Sequence, residues 1–184
     1  LLAALMMGSI ATVATVAAQD ATPTASPAAP SSAQASGATS ADPAVGTAVS
    51  YVGNDGNEIA QITAEQVIDP FKDYDSSFGG PDRGNRYVAI QVTVTATGDK
   101  ALEVSSFDFA LQDEQGFIAG SPYVSRTDEQ EKADPEFEDT NLAPGDSVSG
   151  LLFFEVFGDA QLAHLFYQPE SSRLITVANL ASGR

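Results

Sequence analysis

Between Arg86 and Thr97 the chain alternates. Val88, Ile90, Val92 and Val94 take every second position, and Gln91, Thr93 and Thr95 take those between. That is the period of a strand with one face on a core and one on water. Four β-branched residues in the row disfavour a helix, and Gly98-Asp99 supplies the turn that closes it. Phe107, Phe109 and Leu111 alternate with Asp108, Ala110 and Gln112 in the same way, predicting a second half-buried strand that runs into the turn Asp113-Glu114-Gln115-Gly116. From Ser147 to Val156 one face carries Val148, Gly150, Leu152, Phe154 and Val156, while Leu151 and Phe153 make the other face apolar as well. A strand apolar on both faces is expected to be central or partly covered. Leu165 to Gln168 and Leu174 to Val177 read as shorter strands, and Asn57 to Val67 as another that follows the Asn54-Asp55-Gly56-Asn57 turn. About seven antiparallel strands with hardly any helix bury their apolar faces most simply in two packed sheets. The expected fold is all-β, an immunoglobulin-like antiparallel β-sandwich.

Ahead of these strands the pattern changes twice. Residues 1–18 carry no charge and are dense in Leu, Met, Ile, Val and Ala, as the apolar part of an export signal is, with cleavage expected between Ala18 and Gln19. No basic leader precedes them and the chain opens on Leu, so the start is expected to be truncated or misassigned. The competing expectation is an uncleaved anchor, because about 18 residues is the lower limit for spanning a bilayer. Residues 19–45 are rich in Ala, Ser, Thr and Pro, with Asp20 and Asp42 the only charges, and are expected to form a disordered, semi-rigid spacer. The folded domain is expected over residues 46–184.

Three stretches carry a resemblance. They are Tyr87 to Leu102 (YVAIQVTVTATGDKAL), Phe107 to Gly116 (FDFALQDEQG) and Leu142 to Val156 (LAPGDSVSGLLFFEV). Each has a physical job. Gly116 supplies a positive φ, Pro144-Gly145 suits the middle of a turn, and Gly150 inside a strand marks a bulge or a close backbone approach. In order and spacing they resemble the secreted immunoglobulin-like domains of unknown function found in bacterial lipoproteins and extracellular antigens, the immunoprotective extracellular antigen of mycobacteria among them. The resemblance implies a sandwich on the outside of the cell and brings no catalytic residues. Many relatives begin on a lipidated cysteine, and this chain has no cysteine. Release into the medium, or attachment by another route, is therefore expected.

Composition narrows the chemistry. Twenty-five acidic against eight basic residues give a formal net charge of −17, which repels phosphate backbones and anionic bilayers. Neither nucleic acid nor, after signal cleavage, a membrane is expected as a partner. The lack of cysteine removes disulfides, thiolate metal sites and cysteine nucleophiles. His164, the only histidine, reads as a residue at a strand edge, and no Gly-x-Ser-x-Gly elbow or phosphate-binding loop accompanies it. No enzyme and no organic cofactor are expected.

Two acidic stretches remain. Asp128, Glu129, Glu131, Asp134, Glu136, Glu138 and Asp139 meet only Lys132 among the bases, which reads as a solvated loop between strands or as a calcium loop. Asp73, Asp75 and Ser77 open like a helix-loop-helix calcium site, but Phe78 stands where its glycine belongs and Gly84 where its bidentate Glu belongs, leaving at most a looser site. The candidate calcium ligands are Asp73, Asp75, Asp128, Glu129, Glu131 and Glu136. Phe137, in the acidic run, either tucks onto the domain or waits for a partner. Phe153 and Tyr167, with Leu151 and Phe166, are the candidates for an apolar patch that takes a partner or lies beneath loops. The functional expectation is a secreted or cell-surface, monomeric, non-enzymatic module that binds an unknown protein or cell-envelope ligand. The alternative is a calcium-stabilised structural or ion-binding extracellular domain that uses the acidic loops.

Overall fold

The alternation over residues 86–97 folds as β3 (Asn85–Ala96), with Val88, Ile90, Val92 and Val94 completely buried on one face. The computed structural model describes residues 42–181, so the expected export segment and residues 19–41 of the expected spacer lie outside the described residues. β3 pairs with β2 (Glu58–Ile68) on one side and β7 (Ser147–Phe157) on the other, and β1 (Ala48–Val52) completes an antiparallel sheet in the order β1-β2-β3-β7. The facing sheet runs β5 (Phe109–Asp113), β8 (Leu162–Glu170), β9 (Arg173–Asn179), also antiparallel. A short ribbon of β4 (Leu102–Val104) and β6 (Thr140–Leu142) stands beside them. This is the expected immunoglobulin-like β-sandwich.

Its main core joins Ile62, Ile90, Leu152 and Phe154 of the first sheet to Leu111, Leu165, Tyr167 and Val177 of the second. Burial of each such side chain stabilises by about 1.5–3 kcal/mol over leaving it exposed. On the outward face of β3 and β7 a smaller core gathers Phe71, Tyr87, Ala89, Val124, Leu151 and Phe153. Further along that face the surface is polar: Gln91 and Thr93 bond to Ser149, and Thr95 to Ser147. Leu151 and Phe153 are thus apolar because the segment from Phe71 to Tyr74 and the one around Val124 lie over them.

β7 takes the second of the two places expected for a strand apolar on both faces: it ends its sheet, its second face is partly covered, and its free edge is covered at points by Gly120 and by Glu136. Two expectations are corrected. Phe107 does not share the buried face of β5. It sits in a single 3₁₀ turn, Ser106–Asp108, capped by the Ser105 hydroxyl, and is 80% exposed, because the turn breaks the period before the strand begins. The acidic run is not simply a loop. Its first part is a short helix, α1 (Asp128–Ala133), started by a capping box in which Thr127 and Gln130 satisfy each other's backbone N–H. At the N-terminal end, Pro43 C=O accepts from Asn179 N–H at 2.6 Å and Ala44 bridges Asn179, so the described chain lies against β9 from just after Asp42. Among the described residues no helix is long and apolar enough to cross a membrane.

Candidate functional site

The chemistry-bearing residues collect along the free edge of β7, and α1 shows how they are held. Arg126 places its guanidinium 5.7 Å from the ring centres of both Phe71 and Phe153, with a side chain only 1% exposed. From there it donates to the carbonyls of Gln130 (2.7 Å) and Asp134 (2.6 Å), the end of α1 that carries partial negative charge. Asp73 accepts from Gln130 Nε2 at 2.6 Å and lies 3.7 Å from the guanidinium. The helix is therefore pinned from below by a cation that the small outer core buries.

Of the candidate calcium ligands, Asp128, Glu131 and Glu136 line one cleft of 510 Å³, joined by Glu138 and by Lys132. Asp73 is committed to Gln130 and Arg126, Asp75 caps the 3₁₀ turn Ser76–Phe78 by accepting from Ser77 N–H at 2.9 Å, and Glu129 does not line the cleft. Among the described residues no three acidic or imidazole groups gather closely enough to hold a metal ion. Loss of water around Glu136, reinforced by Glu131 and opposed by Arg126, raises its carboxyl above the ordinary glutamate value.

The three aromatic candidates are all inside. Phe137 is 3%, Phe153 4% and Tyr167 0% exposed, so none of them offers its ring to a partner. Phe137 packs edge-on against Phe109 with ring centres 5.6 Å apart, and Phe109 in turn lies 5.0 Å from Tyr167. Phe153 is covered by Phe71 and Arg126.

The aromatics left in water are others. Phe107 (80% exposed) and Tyr123 (88%) stand at the rim of a 280 Å³ groove floored by Leu151 to Phe154, with Glu136 at its side. Beyond Gly120 a second groove of 180 Å³ is flanked by Phe117, Ile118 and Phe157, all more than half exposed, with the two phenyl rings edge-to-face at 6.0 Å. Nothing in the period of the sequence separates these from the buried aromatics; Tyr123 follows Pro122 in a stretch without alternation.

The strand edge itself is incomplete between the two bridges. Residues of β7 at odd positions turn their backbone groups away from β3. Leu151 N–H donates to Pro135 C=O (2.8 Å), its C=O accepts from Phe137 N–H (3.0 Å), and Glu155 N–H donates to Gly120 C=O (2.9 Å). Between them Phe153 N–H and C=O have no backbone partner among the described residues.

His164 lies within the central strand β8, opposite Gln112 and Asn179, not at a sheet edge. Its Nε2 is 3.0 Å from Asp42 Oδ2, and Nδ1 is buried without a partner among the described residues. The pair ties the domain's first described residue to the outer sheet. Among the described residues no serine hydroxyl continues it into a nucleophilic relay.

The family model for a domain of unknown function (DUF4352) matches residues 55–173, a span that holds the β7 edge and both grooves. Three solved structures are similar. The ycdA protein of Bacillus subtilis, a lipoprotein by inference, matches with a TM-score of 0.53 at 24% identity, over 74% of this chain and 39% of that one. The yjhA protein of the same bacterium matches with a TM-score of 0.52 at 16% identity, over 75% and 98%. MPT63, a secreted protein of Mycobacterium tuberculosis, matches with a TM-score of 0.52 at 11% identity, over 74% and 96%. The chain thus spans about two fifths of the length of ycdA. No curated protein matches it in sequence. At these identities the likeness establishes the shared sandwich fold.

Proposed function

The chain belongs to the DUF4352 family of domains of unknown function, and from that footing we propose that it is an extracellular, non-enzymatic, monomeric binding module that meets its ligand with the free edge of β7. The observation that carries the reading is the placement of Phe107 and Tyr123. Two large aromatic rings stand in water in the groove beside an unpaired position of the strand, while Phe109, Phe137 and Phe153 are packed inside. Exposed aromatics beside a concave surface are typical anchors for a partner. The extracellular part of the reading is supported by the uncharged residues 1–18, which suit an export signal, and by the Pro-rich residues 19–45, which suit a tether. It also agrees with the secreted MPT63 and the inferred lipoprotein ycdA among the similar folds.

The test is binding of the labelled full chain to envelope fractions of the producing cell, beside the Phe107→Ser/Tyr123→Ser variant, whose fold is checked by circular dichroism. Saturable binding that weakens tenfold or more in the variant is the expected result. Equal binding by both proteins, or none that saturates, overturns the reading.

A further inference from the structure

The geometry points to an extended, basic polypeptide segment as the occupant of the gap at Phe153, added to the β7 edge through one bridging residue. This inference rests on the reading of the β7 edge as the binding face and deepens it by naming the partner's chemistry. A guest residue set opposite Phe153 finds one backbone donor and one acceptor waiting, between edge positions that the chain has already filled with Pro135, Phe137 and Gly120. Main-chain pairing of this kind supplies affinity without regard to sequence, and side chains at two-residue spacing supply the choice of partner. On one hand they reach the exposed rings of Phe107 and Tyr123. On the other they reach Glu136, which lines both the groove at Phe153 and the neighbouring acidic cleft with Asp128, Glu131 and Glu138. Apolar residues alternating with Lys or Arg fit that surface.

Charge decides among the possible occupants. A second copy of the chain carries a net charge of −17, and residues 19–41 carry one acid, Asp20, and no base. Neither complements a groove that carries Glu136 at its side and opens beside the acidic cleft of Asp128, Glu131 and Glu138. A basic strand does, and its approach is steered by the field of the whole molecule.

The probe is the blocked peptide acetyl-(Lys-Val)₃-amide, titrated into the full chain by fluorescence anisotropy, with hydrogen exchange at the Phe153 amide as the second readout. The inference expects saturable binding, at least tenfold slower exchange at Phe153 N–H in the complex, and a loss of tenfold or more in affinity with either Glu131→Gln/Glu136→Gln or Phe107→Ser/Tyr123→Ser. A peptide N-methylated at its central amides, which keeps the charge and loses the strand edge, should also bind at least tenfold more weakly. Equal binding of the methylated peptide, full competition by spermine, or unchanged exchange at Phe153 would each overturn strand addition. Dimerisation of the free chain that protects the Phe153 amide would put a second copy in the gap and overturn it as well. If the peptide fails at millimolar concentration while envelope binding still depends on Phe107 and Tyr123, the basic strand is wrong and the binding face stands. If both fail, both readings fall.

Discussion

Gly150 lies directly under the backbone of Phe137: a Cβ placed on it would stand 2.5 Å from both the Cα and the amide N of Phe137. This contact lets residues 135–137 run along the edge of β7 and drop the Phe137 ring onto Phe109. The hydrogen bonds at Leu151, the wall of the groove and the position of Glu136 all depend on it.

Gly150→Ala should therefore destabilise the domain by about 3 kcal/mol or more, since neither backbone can move aside without breaking the pairing at Leu151. Gly120→Ala is the control. A Cβ there meets nothing within 4 Å, so a change within about 0.5 kcal/mol is expected. Urea unfolding of the two variants makes the comparison, and similar losses in both would refute the assignment of the close contact.

Arg126 is charged, buried and shared between two aromatic rings and two carbonyls. Arg126→Ala should cost about 3 kcal/mol, as expected when a buried charged network loses its centre. Arg126→Lys should recover less than half of that, because an ammonium does not present a planar fork. Asp73→Asn should cost under about 1 kcal/mol, since Asp73 is half exposed and its ion pair is long. Hydrogen exchange at Glu131 and Asp134, whose amides close α1, should speed up in Arg126→Ala and stay unchanged in Asp73→Asn.

Tyr167 has a fully buried ring whose hydroxyl has no partner among the described residues. Burial, then the nearby Asp108 and Tyr51, keep that hydroxyl protonated well beyond the ordinary tyrosine range. Tyr167→Phe should be neutral or stabilising by up to about 1 kcal/mol, because it removes an unsatisfied polar group without changing the packing. Tyr167→Ala should cost about 3–5 kcal/mol through the cavity it leaves. A marked loss in Tyr167→Phe would mean that the hydroxyl has a partner in the folded protein.

Two neighbouring carboxylates should titrate with opposite effects on stability. Asp139 accepts from Ser106 N–H at 2.7 Å and from the hydroxyls of Ser105 and Ser106, which hold its carboxyl below the usual aspartate value against some desolvation. Its contribution is present above the unfolded value of about 3.9 and is lost as pH falls through the folded value. Asp108 is raised, chiefly by burial and then by Asp139 and Glu103, against the Ser105 amide. Its folded form favours the proton, so its contribution is present below about 3.9 and is lost as pH rises through the folded value. At pH 7 Asp139→Asn should lower the melting temperature and Asp108→Asn should raise it. Both differences should close as the pH is taken well below 4, and melting curves from pH 2.5 to 8 would show a failure of either sign.

Much of the molecule follows from local rules acting on neighbouring residues. Period-two alternation placed Val88 to Val94 on one buried face, because a strand that borders a core repeats its environment every second residue. Gly116, with φ of +90°, follows from the turn it closes, where Asp113 accepts from the amides of Gln115 and Phe117. Gly150 signalled a close backbone approach, and Leu151 with Phe153 signalled a covered second face. The partner in each contact was not legible, since Phe137 and Phe71 reach β7 from distant segments.

What the sequence by itself determined is the all-β sandwich, its turns and its acidity, all of which depend on local period and on composition. Only the tertiary structure decided which aromatics are left for a ligand. Phe107 and Phe109 belong to one alternating row, yet a 3₁₀ turn leaves the first in water and the second in the core. Phe153 and Tyr123 differ because the chain from Phe71 and the Arg126 side chain cover one and leave the other bare. Two other segments, at residues 135–137 and at Gly120, pair Leu151 and Glu155 and leave Phe153 open between them. Burial at such positions is set by segments many residues away, and a local pattern carries no record of where those segments cross.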